Sequence, residues 1–263
     1  MHVVKKRISS KVVIKSAKRS ISVQVELKRT RVSAGSKKRR NDDSSNKVNA
    51  SKDALAQPAT VVSPALLPQS WYRRDSLEVA PALLGKILRK DGIELRITEV
   101  EAYREGDSAC HARVGITPRT APLFGPAGRC YVYLCYGIHS MLNVVTNEEQ
   151  QGAAVLIRSA EPVKGLSQIQ ANRKMVSDKP ILLTGPGKVA AALGLTVNWT
   201  GHPVYEPGGL EIVDGPPPTS ILHGPRVGID YAAPNDIAAL WRFAAGDTPW
   251  VSQRKTLTTS QLA

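Results

Sequence analysis

Residues 86–103, KILRKDGIELRITEVEAY, have the pattern of a β-hairpin. Ile93, Leu95 and Ile97 recur at every second position, which is the period of a strand that buries one face. Asp91-Gly92, just before them, can supply the two positive-φ residues of a tight turn. The segment therefore predicts two antiparallel strands, and the rest of the chain has to provide a sheet around them.

Other segments predict further strands and a few helices. A helix is expected between Asp75, a plausible N-cap, and Gly85, and another between Lys188 and Gly194. Further strands are predicted in RCYVYLCYGIHSMLNVVT, on both sides of Tyr136-Gly137, in GAAVLIRSA, and more weakly in LEIVD and PRVGID. Strands and helices do not alternate as in a parallel βαβ array. The sequence thus predicts one mixed α+β domain with a curved, mostly antiparallel sheet, flanking helices and a protruding hairpin.

The positive charge of the chain is concentrated near its N-terminus. Residues 1–70 contain 16 Lys and Arg against 4 Asp and Glu, whereas residues 71–263 contain 20 against 18. The first part, rich in Lys, Arg and Ser, is interpreted as a disordered basic leader, and residues 71–263 as the folded domain. A basic leader raises affinity for polyanions, nucleic acid first. The cluster SKKRR at 36–40 is of the nuclear-address type, and the acid-free first 25 residues also suit an organelle transit peptide.

Composition argues against several other classes of protein. No apolar run approaches the ~18 residues of a membrane span. Cys110, Cys130 and Cys135 have neither disulfide-framework nor C-x-x-C spacing, so we expect reduced thiols, no metal and no cofactor.

Two acidic residues continue the apolar face of the second hairpin strand. Glu99 and Glu101 have the same parity as Ile93, Leu95 and Ile97, so a regular strand directs all five side chains to one side. Burying a carboxylate is costly unless it is paired or takes part in chemistry. The alternative is that the strand ends there and both carboxylates reach solvent.

Other residues suggest what the carboxylates could serve. Arg158 ends an apolar strand, where its guanidinium could face a buried carboxylate. His111 alone would be interpreted as structural. Tyr131 and Tyr133 share a face of their strand, and Tyr136 occupies a turn, where its ring would project and could act as a wedge between stacked bases.

Six ordered motifs give the chain a strong family resemblance. EVEAY, CHARVGITPR, YVYLCYGIHSMLN, LIRSAEP, TGPGK and PRVGID occur in this order. Together they resemble the alkyladenine (3-methyladenine) DNA glycosylases over residues 71–255. The resemblance implies a base-excision-repair enzyme that flips alkylated or deaminated purines out of duplex DNA. It would hydrolyse the N-glycosidic bond and leave an abasic site.

The resemblance also implies roles for individual residues. Glu101 matches the general base that activates the attacking water, and Arg158 matches a residue that helps to hold this water. The base-binding pocket is implied for Tyr103, His111, Tyr133 and Asn143, of which Asn143 would crowd the amino group of normal guanine. Tyr136 matches the intercalating residue.

Partners follow from the same resemblance. Double-stranded DNA with damaged purines is the expected substrate, bound by a monomer, and enzymes that process abasic sites are possible downstream partners. Candidate contacts to the DNA backbone are Arg119, Lys188 and Arg226. No lysine stands beside Glu101, Tyr103 and Arg158 in the motifs, which favours a hydrolase without Schiff-base chemistry.

Other functional classes remain open from the residues. A DNA- or RNA-binding module without catalysis would keep the tyrosines and the basic leader, but would not need Glu101 together with Arg158. A hydrolase of small nucleosides would have no use for Tyr136 at a turn. A scaffold protein would explain none of the motif order.

Overall fold

The computed structural model describes residues 65–259, and the predicted basic leader up to residue 64 lies outside them. Leu66 already bridges Val213 in antiparallel fashion and Leu67 is buried, so the described fold includes residues upstream of Trp71. Within the described residues, no helix is long and apolar enough to cross a bilayer.

Helices are few and short. The helix Ser76–Leu83 starts after Asp75, whose carboxylate accepts a hydrogen bond from the Leu77 amide at 2.8 Å, as the predicted N-cap requires. In chain order, the α-helices within 65–259 are α1 Gln69–Tyr72, α2 Ser76–Leu83, α3 Leu166–Arg173, α4 Pro186–Ala192 and α5 Pro234–Ala238. The sequence correctly predicted α2 and α4 but not α1, α3 or α5.

Nine strands within 65–259 form one sheet, and all their pairings are antiparallel. They are β1 Ile87–Lys90, β2 Ile93–Tyr103, β3 Cys130–Cys135, β4 His139–Val145, β5 Ala154–Lys164, β6 Glu211–Val213, β7 Ile221–Gly224, β8 Arg242–Ala245 and β9 Thr258–Thr259. The order is β3-β4-β5-β2-β8-β7-β9, with β1 paired to β2 and β6. The predicted α+β class and antiparallel sheet are confirmed.

The predicted hairpin forms around Asp91-Gly92. Lys90 pairs with Ile93, and both turn residues have positive φ, 50° for Asp91 and 80° for Gly92. This is the backbone geometry that a two-residue turn between twisted strands needs.

Strand β2 is the centre of the sheet and carries the acidic residues. From Glu94 to Tyr103 it pairs with β5, while its other edge pairs first with β1 and then, from Glu99 to Glu101, with β8. The register against β5 shifts between Ile97 and Val100. Such bulges re-aim side chains and are frequent next to active sites.

One prediction about the strands is wrong. PRVGID, residues 225–230, forms no strand but a loop between β7 and α5. Its apolar residues alternate as in a strand, yet the amide of Val227 donates to the side chain of Glu101 at 2.8 Å instead of to a neighbouring strand.

Within the described residues, buried hydrophobic side chains form three clusters around the sheet, the smallest of which is Leu222, Ala244 and Val251. The main core packs α2 and α4 against β2, β4 and β5. A smaller cluster includes Cys110, Phe124 and Tyr131, with Tyr103 and Tyr133 packed on it. The three cysteines of the described chain are free.

Candidate active site

Glu99 and Glu101 are completely buried where β2 lies between β5 and β8. The alternative that the strand ends and both carboxylates reach solvent is therefore wrong. Buried carboxylates require charged or hydrogen-bonding partners, and the contacts of these two show what supports them.

Glu101 accepts three polar contacts. Its Oε1 lies 3.2 Å from Nη1 of Arg158 and accepts a hydrogen bond from the amide of Val227. Its Oε2 accepts a hydrogen bond from the hydroxyl of Tyr103 at 2.9 Å. Both carboxylate oxygens are thereby held in fixed directions, from three different segments of the chain.

Arg158, on β5, lies between the two carboxylates. Its Nη1 faces Glu101, and its Nε lies 3.4 Å from Oε1 of Glu99. Burial alone would lower the pKa of this guanidinium, but the carboxylates of Glu101 and Glu99 raise it overall. Arg158 therefore remains a buried cation.

Arg242 is a site residue that the sequence analysis missed. It is completely buried on β8, and its Nη1 lies 3.1 Å from Oε1 of Glu99. Its Nε donates to the carbonyl of Pro225 at 2.8 Å, in the loop that carries Val227. An arginine between apolar residues in LWRFAA was the signal that could have revealed it.

A cavity of about 500 Å³ opens beside this charged cluster. Its volume is within the range of about 300–1,000 Å³ that is typical of small-molecule sites. The residues that line it are mostly aromatic or apolar, with a few polar groups, and include Tyr103, His111, Tyr131, Tyr133, Asn143, Arg158 and Tyr231. Glu101 is linked to the cavity through Tyr103 and Arg158, which contact it and also form the wall.

The predicted pocket residues converge on this cavity. The rings of His111 and Tyr133 meet at an angle of 66° with centroids 4.5 Å apart. Asn143 is buried on β4, and its Nδ2 donates to the carbonyls of Tyr131 and Met141 at 3.1 and 3.3 Å. These contacts fix the amide at the cavity wall.

His111 is neutral around pH 7. Burial, followed by the charges of Arg119 and Arg113, lowers its pKa to about 4. Its Nδ1 lies 2.9 Å from the hydroxyl of Tyr131. Burial also raises the pKa of Tyr131, so that hydroxyl keeps its proton.

Tyr103 is held on two sides. Burial and then the Glu101 carboxylate raise the pKa of its phenol well above the ordinary value. Its hydroxyl therefore remains a donor to Glu101, while the guanidinium of Arg226 lies 4.7 Å from the centre of its ring.

Tyr136 lies at the tip of the β3–β4 hairpin, on the rim of the cavity. Its side chain is 90% exposed and its φ is +51°, next to Gly137 at +71°. A large aromatic residue with positive φ at an exposed tip is uncommon, and neither packing nor turn preference explains it.

The three basic residues predicted to contact the DNA backbone differ in position. Arg119 is exposed near the cavity, 5.9 Å from the centre of the Tyr133 ring, and Lys188 is half-buried on α4. Both can face a bound polyanion.

Arg226 does not have the position expected of a backbone contact. It is buried and forms a two-pronged ion pair with Asp107, with Nη2 2.9 Å from Oδ1. Nη1 also donates to the carbonyl of Ala102 at 3.1 Å. The sequence interpretation is corrected here, because a basic residue in a loop motif gives no sign of a buried acidic partner 119 residues away.

Fold and site together define an α+β enzyme with a buried carboxylate–guanidinium cluster beside an aromatic cavity. The family model described as methylpurine-DNA glycosylase matches residues 70–249. A protein of Arabidopsis thaliana named DNA-3-methyladenine glycosylase is 59% identical over 191 residues, which cover 72% of this chain and 75% of the relative.

Microbial proteins similar to this chain carry names of the same kind. A protein of Nitrosococcus oceani, provisionally named 3-methyladenine DNA glycosylase, is 59% identical over 193 residues, covering 73% of this chain and 96% of the relative. A protein of Methanocella arvoryzae with the same provisional name is 41% identical over 194 residues, covering 72% and 96%. The chain belongs to the methylpurine-DNA glycosylase family.

Proposed function

We propose that this DNA glycosylase of base excision repair extrudes damaged purines from duplex DNA and hydrolyses their N-glycosidic bond with water that Glu101 activates. The enzyme class follows from the family; the residue roles are the proposal. The observation that carries it is the Glu101–Arg158 pair, 3.2 Å apart and buried against the wall of the aromatic cavity.

A base inside a duplex cannot reach a buried carboxylate, so it has to leave the stack. Extrusion costs a few kcal/mol, and least for a damaged or mispaired base. Tyr136 projects from the hairpin beside the cavity mouth. Its ring enters the gap in the stack and replaces the extruded base.

The cavity favours cationic purines. An alkylated purine with a positive charge is attracted to aromatic faces more strongly than a neutral base. Tyr103, His111 and Tyr133 supply aromatic surface to the cavity. His111 is neutral, so it does not repel the cation. Asn143, with its amide fixed, crowds the exocyclic amino group of normal guanine.

The chemical step transfers one proton and exchanges one bond. Arg158 orients a water molecule, whose oxygen bonds to the anomeric carbon while the carbon–nitrogen bond breaks. The bonding electrons leave with the purine, which neutralises an alkylated base, and Glu101 takes the proton from the water. Ordinary glycosidases need a second carboxyl group to protonate the leaving group, whereas a cationic purine does not.

The cavity favours hydrolysis over Schiff-base chemistry. No lysine is among the cavity-lining residues in the described part of the chain, and a Schiff base requires an amine. The product is then an intact abasic strand, which abasic-site repair enzymes consume. We propose the nucleus as the compartment on the basis of the SKKRR cluster, with an organelle as the alternative that the acid-free first 25 residues leave open. The monomeric state is proposed from the family resemblance alone.

Release of free base from defined substrates tests the function. The substrates are duplexes with 3-methyladenine, 7-methylguanine, ethenoadenine or hypoxanthine, alongside the corresponding free nucleosides. We expect base release from duplex, an abasic strand that breaks only after alkali, and inhibition by undamaged duplex. Equal activity on free nucleosides, without competition by duplex, would support the nucleoside-hydrolase alternative.

A further inference from the structure

Glu99 contacts the proposed catalytic cluster without bordering the cavity. It is completely buried, and its two oxygens have five polar neighbours. These are Ser159 Oγ at 2.5 Å, the Ser252 amide at 2.7 Å, Ser252 Oγ at 2.9 Å, Arg242 Nη1 at 3.1 Å and Arg158 Nε at 3.4 Å. Contacts from four different residues therefore fix the position of this buried carboxylate.

The charged side chains alternate in sign through the buried cluster. Arg242 contacts Glu99, Glu99 contacts Arg158, and Arg158 contacts Glu101. Of these contacts, the one between Glu99 and Arg158 is the longest, at 3.4 Å, while those that anchor Glu99 to Arg242 and Ser252 are shorter. Glu99 is thus held in place by residues other than Arg158, and its carboxylate can in turn keep the Arg158 guanidinium in one orientation.

We propose that Glu99, anchored by Arg242 and Ser252, is a positioning residue that orients the Arg158 guanidinium between Glu101 and the cavity. The inference rests on the proposed function, in which Arg158 orients the attacking water. The Nε–H group of Arg158 forms no hydrogen bond within the described residues, so Glu99 acts on it through its charge, at 3.4 Å. Because a guanidinium is one rigid plane, a charge that attracts its Nε edge also sets the direction of its Nη groups.

Without a carboxylate at position 99, Arg158 has one acidic partner instead of two. Its guanidinium would then turn fully toward Glu101, since a forked pair with one carboxylate is its preferred geometry. The N–H group that holds the water would be misdirected, and small misplacements of positioning groups cost about 100-fold in rate. Neither Glu99 nor Arg242 lines the cavity, so binding should suffer less than the chemical step.

The first test compares Glu99→Gln with Glu161→Gln. Glu161 lies on the neighbouring strand β5 and is partly exposed, with its carboxylate 3.3 Å from Arg96 and away from the cavity, so it is a carboxylate-to-amide control in the same sheet. We expect Glu99→Gln to lower single-turnover excision roughly 100-fold while the dissociation constant for damaged duplex changes less than about threefold. Glu161→Gln should change neither. A loss of rate and affinity in proportion would overturn the inference.

A double-mutant cycle separates positioning from a structural role. In an Arg158→Lys background, the ammonium group cannot bridge the two carboxylates, so Glu99→Gln should cost less than about threefold further in rate. Coupled residues give such non-additive effects. Additive losses would show that Glu99 does not act through Arg158 and would overturn the inference.

Two milder variants keep the test valid if Glu99→Gln does not fold. Ser252→Ala removes one hydrogen bond to Glu99 but leaves every charge in place, and Glu99→Asp retains the charge on a shorter side chain. Both should lower the excision rate by a smaller factor than Glu99→Gln, and the cycle with Arg158→Lys can be built on Ser252→Ala. Normal rates in both variants would contradict the proposal.

Glu101→Gln, measured beside these variants, distinguishes the two proposals. If Glu101→Gln excises at the wild-type rate, the proposed function of the cluster fails. If Glu101→Gln is inactive while Glu99 and Arg158 behave additively, only the positioning role fails.

Discussion

For single residues, burial decides which charged side chains can meet DNA. Arg119 and Arg226 both carry positive charge near the cavity, but Arg119 is exposed and Arg226 is buried against Asp107. Removal of the charge should therefore have different effects at the two positions. At Arg119 it should weaken DNA binding, and at Arg226 it should lower the stability of the fold.

Arg226→Gln should destabilise the fold without changing the salt dependence of DNA binding. The substitution leaves the Asp107 carboxylate buried without its partner, which typically costs about 3–5 kcal/mol. Urea unfolding measures this cost. Arg119→Gln is the matched comparison, with little loss of stability and a salt slope shallower by roughly 0.9 if Arg119 contacts a phosphate. A shallower slope in Arg226→Gln would contradict its structural role.

His111 should make stability fall at mildly acidic pH. Its pKa is lowered from 6.5 to about 4 in the folded chain, first by burial and then by Arg119 and Arg113. Between these two pKa values the unfolded chain binds a proton that the folded chain does not. The contribution of His111 to the free energy of unfolding is therefore fully retained above pH 6.5 and decreases as the pH falls toward 4. The stability gap between wild type and His111→Gln should therefore narrow from pH 7.5 to pH 5. A constant gap in urea unfolding would contradict the assignment.

Among the elements, the two hairpins have different tasks. The β1–β2 hairpin builds the sheet, with small turn residues at Asp91-Gly92. The β3–β4 hairpin instead places an exposed Tyr136 at its tip, beside the cavity. Since exposed tips normally carry small or polar residues, the second hairpin is the element that we expect to enter the duplex.

Tyr136→Ala should weaken base extrusion more than chemistry. Loss of the ring removes stacking of about 1–3 kcal/mol from the extruded state, and stability should hardly change because the side chain is exposed. The measurement is single-turnover excision of one lesion in a fully paired duplex and in a bulge, where extrusion is easier. The paired substrate should lose more rate; equal losses on both would exclude the wedge role.

How far the sequence predicted these elements depended on the range of their interactions. The β1–β2 turn was predictable because Asp91-Gly92 sets it locally. Strand β8 was not predicted: the apolar residues around Arg242 are a local sign of a buried arginine, but its partner Glu99 lies 143 residues away and leaves no local signal. The strand predicted in PRVGID failed for the same reason: Val227 bonds to a side chain 126 residues away instead of to a neighbouring strand.

The residues of the candidate site also fall into those that local sequence pointed to and those that it did not. Glu101, Tyr103, Arg158 and Asn143 were chosen as candidates because they occur in motifs. The structure places Tyr103, Arg158 and Asn143 in the wall of one cavity, and Glu101 contacts two of them. The sequence indicated that Glu99 shares the apolar face of β2, but not that Arg242 and Val227 support the cluster, because their contacts join distant segments without a periodic signal.

In the molecule as a whole, charge is divided between a basic N-terminal part and a nearly balanced domain. Residues 1–70 contain 16 of the 36 Lys and Arg, and every proposed site residue lies beyond Trp71. Because Leu66 and Leu67 belong to the described fold, a truncation that tests this division should end before residue 65.

Deletion of residues 1–64 should reduce nonspecific DNA affinity and flatten its salt dependence. Each phosphate that a lysine or arginine neutralises contributes roughly 0.9 to the log–log slope on duplex DNA. Binding of undamaged duplex over a salt series, full length against truncated chain, measures the change. Excision at low salt and saturating enzyme should stay the same. An unchanged slope would remove DNA tethering as a role of this segment.

The central claim is that Glu101 activates the water that breaks the glycosidic bond. Its most direct test is Glu101→Gln, with Glu105→Gln, an exposed acid four residues on, as the control. Single-turnover excision and binding of a damaged duplex are measured for both. We predict a rate loss of about 10²–10⁴-fold in Glu101→Gln, because the amide cannot accept the proton, with affinity retained and the control unchanged. Excision by Glu101→Gln near the wild-type rate would contradict the account.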